Sequence, residues 1–240
     1  MRGITMTFET IENAVQDAQT LSDLFQLWQK AHECDPNWED TFPKGRESGV
    51  VEAFKTSFCV DGISSLDGRY SGGDKADVLF ILKESNIGQD ELRKSGTVHP
   101  FWFNEDLTHS TRVKYAKRFK AVLDRYEPQM NVKAPIGYMN LNKRGGAGST
   151  EPKRLRKYIC QYHIFILKEI EIIAPKEIFL CGCKDSFISG IRAATNDLKS
   201  CEIQDIGDTT VLTLLDSVKP VVKSIHHPSY SRFNECLNWK

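Results

Sequence analysis

The sequence predicts a three-layer α/β/α fold with a four-stranded, mainly parallel sheet and a helical extension at the N-terminus. Four short apolar runs between residues 77 and 225 have the length of strands that are buried on both faces. Between these runs lie segments with the three-and-four spacing of amphipathic helices. Strands that alternate with helices in this way are typical of βαβ units and parallel sheets.

The N-terminal part is predicted to cover the domain. Residues 8–32 have apolar side chains at 11, 14, 18, 21, 25 and 28, which predicts one amphipathic helix. Residues 33–76 are rich in Gly, Pro, Asp and Ser, so irregular structure or a short hairpin is expected. The predicted organisation is therefore a cover segment over 1–75 and an α/β domain over 76–240.

The domain itself is predicted from strand and helix signals in alternation. The long helix 151–173 has Ser149 as a hydroxyl cap and Pro152 in its first turn, and Pro175 ends it. Strands are predicted at 77–82, 136–141, 177–181 and 220–225, helices at 109–127 and 185–198, an edge strand at 209–215, and a glycine-rich loop, KRGGAGS, after the second strand.

Composition predicts a cytoplasmic protein without a membrane span, metal or other cofactor. No apolar run approaches the roughly 20 residues that cross a bilayer, and the N-terminus lacks the pattern of a secretory signal. Seven cysteines, an odd number, favour buried thiols in a reducing compartment. Cys181 and Cys183 are separated by one residue, which matches no common zinc or iron–sulfur spacing.

The formal net charge is zero, which argues against a dominant polyanion-binding field, but the charges are unevenly distributed. The segments 112–125 and 143–157 each contain six Lys or Arg and one acidic residue. Local basic surface of this kind serves nucleic-acid binding, although solvated helix faces have the same composition. If nucleic acid is the partner, we expect both segments to contribute to one face.

Ligands of parallel α/β sheets bind at the carboxyl ends of the strands, where this sequence has polar groups. The order of segments resembles the uracil-DNA glycosylase superfamily, nearest to its iron–sulfur branch, over roughly residues 76–235. The segments that carry the resemblance are VLFILKESN at 78–86, YMNLNKRGG at 138–146, IAPKEIFLCG at 173–182 and VVKSIHHPSY at 221–230. The first loop lacks the family's Gly-Glu-Ala-Pro-Gly pattern, so gapless matching puts Lys83 where the family has a carboxylate, and a one-residue slip puts Glu84 there. The cluster cysteines are also absent, and no cluster is expected.

The resemblance implies a hydrolase that flips a deaminated base, uracil or similar, out of DNA and cleaves its N-glycosidic bond without metal. The alternative is a non-catalytic nucleic-acid or nucleotide-binding member of the same fold. His227 would stabilise the departing base, Glu84 would act on water or the cationic sugar, and Asn86 is its substitute. Asn140 would read the polar edge of the base and Phe101 would stack on it.

Each of these residues also has a structural interpretation. His227 can be satisfied by backbone, Glu84 can be a surface partner of Lys83, Asn140 can form a turn and Phe101 can anchor a loop. The adjacent His226 is expected on the opposite face, in a structural role. Phosphate contacts are expected from Lys143, Arg144, Ser229 and Arg232, of which the first two can equally belong to a solvated turn.

Overall fold

The computed structural model describes residues 7–41, 51–67, 72–86, 98–99, 110–131, 133–146, 150–195, 201–206, 209–214, 219–227 and 233. The helices are α1 Phe8–Val15, α2 Leu21–Cys34, α3 Val51–Thr56, α4 Ser110–Tyr126, α5 Pro152–Gln161, α6 His163–Ile173 and α7 Lys184–Thr195, with a 3₁₀ turn at Trp38–Thr41. The strands are β1 Phe58–Cys59, β2 Gly62–Ser64, β3 Val78–Asn86, β4 Val98–His99, β5 Ile136–Gly146, β6 Glu177–Cys181, β7 Cys201–Ile206, β8 Thr209–Leu214 and β9 Val221–Ile225.

The main sheet has the strand order β2-β5-β3-β6-β9-β8-β7. The four predicted strands are its centre, and each of their neighbouring pairs is parallel, which confirms that part of the prediction. The described sheet has seven strands rather than four, because β2 pairs antiparallel to β5 and the β7–β8 hairpin extends the other side. The predicted edge strand, β8, therefore lies inside the sheet and β7 forms the edge. A three-residue strand such as β2 is too short to give an alternating apolar signal.

Helices cover both faces of the sheet, as the three-layer prediction requires. Alternate residues of β3 point to opposite faces. Leu79 and Ile81 pack in a core formed with α1, α2, α5, α6 and α7. Phe80 and its even-numbered neighbours pack in a second core, to which α4 contributes Phe119 and Val122. None of the described helices combines the length and the apolarity needed to cross a membrane.

Two of the predicted helices are each divided in the structure. The predicted helix 8–32 is α1 and α2, with Thr20 capping the second through a bond from the Asp23 N–H at 3.1 Å. The predicted helix 151–173 is α5 and α6, because Tyr162 leaves helical geometry at φ −105° and ψ 20°. Its hydroxyl donates to Asp35 over 2.8 Å. The apolar stripe continues across both breaks, so periodicity alone does not reveal them.

The segment before residue 76 shares the core of the domain. Trp28 of α2 is fully buried and donates its indole N–H to the hydroxyl of Tyr158 over 3.1 Å. Its ring also lies 5.3 Å from the ring of Phe165. Together with the pairing of β2 to β5, these contacts show that the described residues of the predicted cover segment pack in the same core as the central strands.

Candidate functional site

The carboxyl ends of β5, β3, β6 and β9 meet at one edge of the sheet, where the sequence predicts the site. The described side chains at this edge form two groups. The first, called here the β5 network, comprises Asp35, Asp61, Glu84, Asn140, Asn142, Lys143, Arg144, Arg154 and Glu169. The second, called here the His227 corner, comprises Lys83, Tyr115, Arg118, Gly182 and His227.

Glu84 belongs to the β5 network. Its side chain is 2% exposed and its carboxylate accepts a bond from the Arg154 guanidinium over 2.7 Å. The amide of Asn142 donates to the other carboxylate oxygen over 3.1 Å. Burial raises the pKa of Glu84, and Arg154 and Asn142 act in the opposite direction. A carboxylate held in this way links β3 to α5 and β5, and its partner is Arg154 rather than the Lys83 that the structural interpretation of the sequence suggested.

Asn140 is buried and bonds to a carboxylate that the sequence did not indicate. Its side-chain amide donates to Asp61 over 2.8 Å, and its backbone N–H donates to the other oxygen of the same carboxylate. The Asp61 carboxylate also pairs with the Lys143 ammonium. The Asn140 donor that would read a base is therefore engaged by protein in the structure.

Lys143 lies on β5 with its ammonium completely buried. Besides Asp61, it contacts the carboxylate of Glu169 over 2.8 Å, and it lies 4.9 Å from the ring centre of Trp28. Two carboxylates around one ammonium leave an excess negative charge if all three groups are ionised. Burial accordingly raises the pKa of Glu169 to about 8, with Asp61 acting in the same direction and Lys143 in the opposite one.

Arg144 is buried as completely as Lys143. Its guanidinium contacts the carboxylate of Asp35 over 2.6 Å, donates to Tyr162 over 2.8 Å and reaches the backbone oxygen of Lys55. The sequence predicted a loop with exposed Lys143 and Arg144 for phosphate. That placement is wrong, because β5 continues to Gly146 and both side chains are paired inside the protein.

A neutral hydrogen-bond relay lies beside these cations. The carbonyl of Ser57 can accept but not donate, so the 2.8 Å contact places a proton on Nδ1 of His32. Nε2 then accepts from the hydroxyl of Tyr158 over 2.7 Å. Burial, together with the charge of Arg144, holds the pKa of His32 well below its ordinary value. Both ring nitrogens of the neutral His32 are thus hydrogen-bonded, as is usual for a buried polar side chain with a structural role.

The His227 corner is built around Gly182, the residue that follows β6. Gly182 has a positive φ of 66°, and its N–H donates to the Ile225 carbonyl at the end of β9 over 2.8 Å. A Cβ at this position would lie 3.2 Å from the His227 nitrogen, 3.3 Å from the His227 Cβ and 3.5 Å from the Lys83 Cε. Glycine therefore lets the ends of three strands approach one another.

His227 is half-buried, and its ring forms a T-shaped pair with the Tyr115 ring of α4 at a centroid distance of 6.3 Å. Burial and the positive charges of Lys83 and Arg118 lower the pKa of His227 to about 4. The imidazole is therefore neutral at neutral pH, with one nitrogen that donates and one that accepts. The neighbouring His226 is exposed, as the alternation of the strand predicts.

Several predicted residues are described in part or not at all. Phe101, Ser229 and Arg232 lie outside the described residues, and Asn86 is described only as the last backbone position of β3. At the carboxyl edge, hydrogen bonds join Glu84 to Asn142 and Asn140 to Asp61.

The two basic segments lie in different layers. Segment 112–125 belongs to α4, on one face of the sheet, whereas 143–157 belongs to β5 and to α5 on the other face. Within the second segment Lys143, Arg144 and Arg154 are buried in ion pairs. The expectation of one shared basic face is therefore wrong. The exposed cations of α4 lie on the face of the His227 corner, and those of α5 lie on the other face.

Cys181 and Cys183 pack in different cores, on opposite faces of the sheet, so their thiols do not face each other. Burial raises the pKa of Cys183 to about 12 and that of Cys181 well above its ordinary value. In the described part of the chain, no group of three or more His, Cys, Asp or Glu side chains has an arrangement suited to a metal ion.

Comparison with known proteins adds little to the geometry. No family model matches the chain. A cysteine--tRNA ligase of Geotalea daltonii is 26% identical over 132 residues, which are 49% of this chain and 26% of the ligase. The chain thus spans about a quarter of that relative's length, and the similarity shows no family.

Proposed function

We propose that this chain is a cytoplasmic, DNA-binding member of the uracil-DNA glycosylase-like fold that receives a nucleotide at the His227 corner. The observation that carries the proposal is the neutral, half-buried His227 at the carboxyl end of β9, beside Lys83 and Arg118. A neutral imidazole offers the donor and acceptor that a base edge requires. The five cysteines with described side chains are thiols, which suits a reducing compartment.

The DNA backbone would run along α4. Lys114 and Lys117 are exposed on this helix, and the charge of the adjacent Arg118 acts on His227 in the corner. Each phosphate that a protein neutralises releases counterions, so affinity falls with salt in proportion to the number of contacts.

Fluorescence anisotropy with a labelled oligonucleotide tests this surface. We expect binding at about 50 mM salt and micromolar protein, and a double variant Lys114→Met/Lys117→Met should reduce the logarithmic salt slope by roughly 1.4 to 1.8. The matched control is Lys153→Met/Lys157→Met, which removes two exposed lysines from α5 in the opposite layer. An absence of binding under these conditions would contradict a DNA role.

A second candidate function is hydrolysis of the N-glycosidic bond of a flipped, deaminated base without metal. The low pKa of His227 favours it, because a neutral N–H can donate to the base as negative charge develops. The ion pair of Glu84 with Arg154 disfavours Glu84 as the residue that activates water. Asn86 is then the sequence-predicted residue that remains for positioning water.

Release of free base from oligonucleotides with a single uracil or hypoxanthine separates the two candidates. If the chain is a hydrolase, His227→Ala should lower the rate by roughly 10²–10³. His226→Ala is the matched control, because His226 is adjacent and exposed. A wild-type protein that binds DNA but releases neither base would reject hydrolysis of these two bases and leave binding as the function.

A further inference from the structure

Lys83 occupies an unusual position at the edge of the sheet. It is half-buried near the end of β3, and its Cε and the Cβ of His227 both lie within 3.5 Å of the point where a Gly182 side chain would begin. Because residue 182 is glycine, the ends of β3, β6 and β9 can approach closely enough to bring Lys83 and His227 to the same point.

Among the described residues, the charges that act on His227 are positive. The positive charges of Lys83 and of Arg118 on α4 both lower the pKa of the His227 imidazole. The Arg118 guanidinium lies 5.3 Å from the Phe233 ring centre, which supports its orientation. Within the described part of the chain, no hydrogen bond or ion pair engages the Lys83 ammonium.

Several other lysines of this protein have carboxylate partners. Lys143 contacts two buried carboxylates, and the exposed Lys176, Lys157 and Lys120 each contact an aspartate at 3.0 Å or less. A half-buried ammonium gains from a nearby anion, since burial removes part of its hydration. The corner therefore has the charge of a site that an external anion completes.

We propose that Lys83 binds the phosphate group of the nucleotide whose base His227 contacts, and that the charge of Arg118 favours the anion. Phosphate oxygens accept charge-assisted hydrogen bonds from an ammonium such as that of Lys83. The inference rests on the proposed function, because it places phosphate and base of one nucleotide in the same corner. The phosphate belongs either to a DNA strand or to a free mononucleotide.

Calorimetric titration of the whole chain with deoxyuridine, deoxyuridine 5′-monophosphate and inorganic phosphate tests the inference. We expect the monophosphate to bind about tenfold or more tightly than the nucleoside, as a charge-assisted bond predicts. Lys83→Met should abolish this difference and Lys83→Arg should retain it. Lys176→Met is the control, because that lysine is exposed at the other end of the sheet. Circular dichroism and the thermal midpoint verify that each variant is folded.

The results distinguish the sources of the phosphate. If free nucleotides do not bind, a single-stranded oligonucleotide should, and Lys83→Met should then reduce its salt slope by roughly 0.7. Equal affinity for nucleoside and monophosphate, or an oligonucleotide slope unchanged by Lys83→Met, would overturn the inference. The protein could also bind phosphate in a Lys83-dependent way and fail to bind DNA. That result would support the phosphate site and reject the proposed function.

Discussion

Two lysines at the same edge of the sheet have opposite surroundings. Lys143, on β5, is completely buried between the carboxylates of Asp61 and Glu169. Lys83, near the end of the adjacent β3, is half-buried and faces His227. The comparison teaches that partners and burial, rather than residue type or position in a motif, separate a cation that stabilises the fold from one that is available to a ligand.

The β5 network also explains how the N-terminal part is attached. Asp35 and Asp61 both precede residue 76, and their partners Arg144 and Lys143 are neighbours on β5. These ion pairs connect the N-terminal segment to the central sheet at the edge where the sequence predicted a phosphate loop. The same cations that suggested a ligand site therefore hold the α/β body together.

The largest expected effect follows from removing the buried ammonium. Lys143→Met leaves the carboxyl groups of Asp61 and Glu169 buried without their cation, and breaking a buried pair in this way costs about 3–5 kcal/mol of unfolding free energy. Urea unfolding measures it. The control Lys157→Met breaks an ion pair with Asp40 in which both side chains are 58% exposed, so its expected effect is less than about 1 kcal/mol. Equal losses in the two variants would remove the contrast between buried and exposed pairs.

The next effect concerns pH. Burial raises the pKa of Glu169 from 4.5 to about 8, so the folded state retains a proton that the unfolded state has lost. The contribution of Glu169 to stability is therefore fully present below about pH 4.5 and is lost as the pH rises to about 8.

Glu169→Gln isolates this contribution, because the amide has the size of the carboxyl group but does not titrate. Urea unfolding of both proteins from pH 5 to 9 should show the stability of wild type falling relative to the variant, by an amount on the order of a few kcal/mol. A difference that does not change with pH would show that Glu169 is ionised throughout, and that Lys143 compensates for both carboxylates.

A smaller effect is expected at the His227 corner. Gly182→Ala places a side chain on a left-handed backbone and 3.2 Å from the His227 nitrogen, at an expected cost of about 1–2 kcal/mol. The added methyl group also narrows the corner, so phosphate binding should weaken. Gly73→Ala is the matched control, because a Cβ there meets no atom within 4 Å. Phosphate affinity unchanged in Gly182→Ala would argue that the anion binds elsewhere.

The centre of the fold could be predicted from the sequence because its signals are local. Apolar runs such as 77–82 and 177–181 mark buried strands wherever they occur, and the helices between them make the strands parallel. The extent of β5 could not be predicted, because Lys143 and Arg144 are polar and precede glycines. Their partners lie 82 and 109 residues away, and no spacing rule connects such positions.

The candidate site could also be predicted only in part. The end of a parallel strand predicts a ligand-facing position for His227, and the structure puts it beside Lys83. Whether Lys83 or Glu84 faces His227 depends on a shift of one residue, since neighbouring strand residues point to opposite faces. Arg154 and Asn142 hold Glu84 in the β5 network, and this choice between neighbours requires contacts that are distant in sequence.

The most direct test of the division between the β5 network and the His227 corner is a nuclear magnetic resonance titration of the whole chain with deoxyuridine 5′-monophosphate or a short oligonucleotide. The backbone amides of Lys83, Gly182 and His227 should shift on binding, whereas those of Asn140 and Lys143 should stay nearly unchanged. The largest shifts at Asn140 and Lys143, with none at Gly182 and His227, would place the ligand at the β5 network and contradict the assignment of the site to the His227 corner.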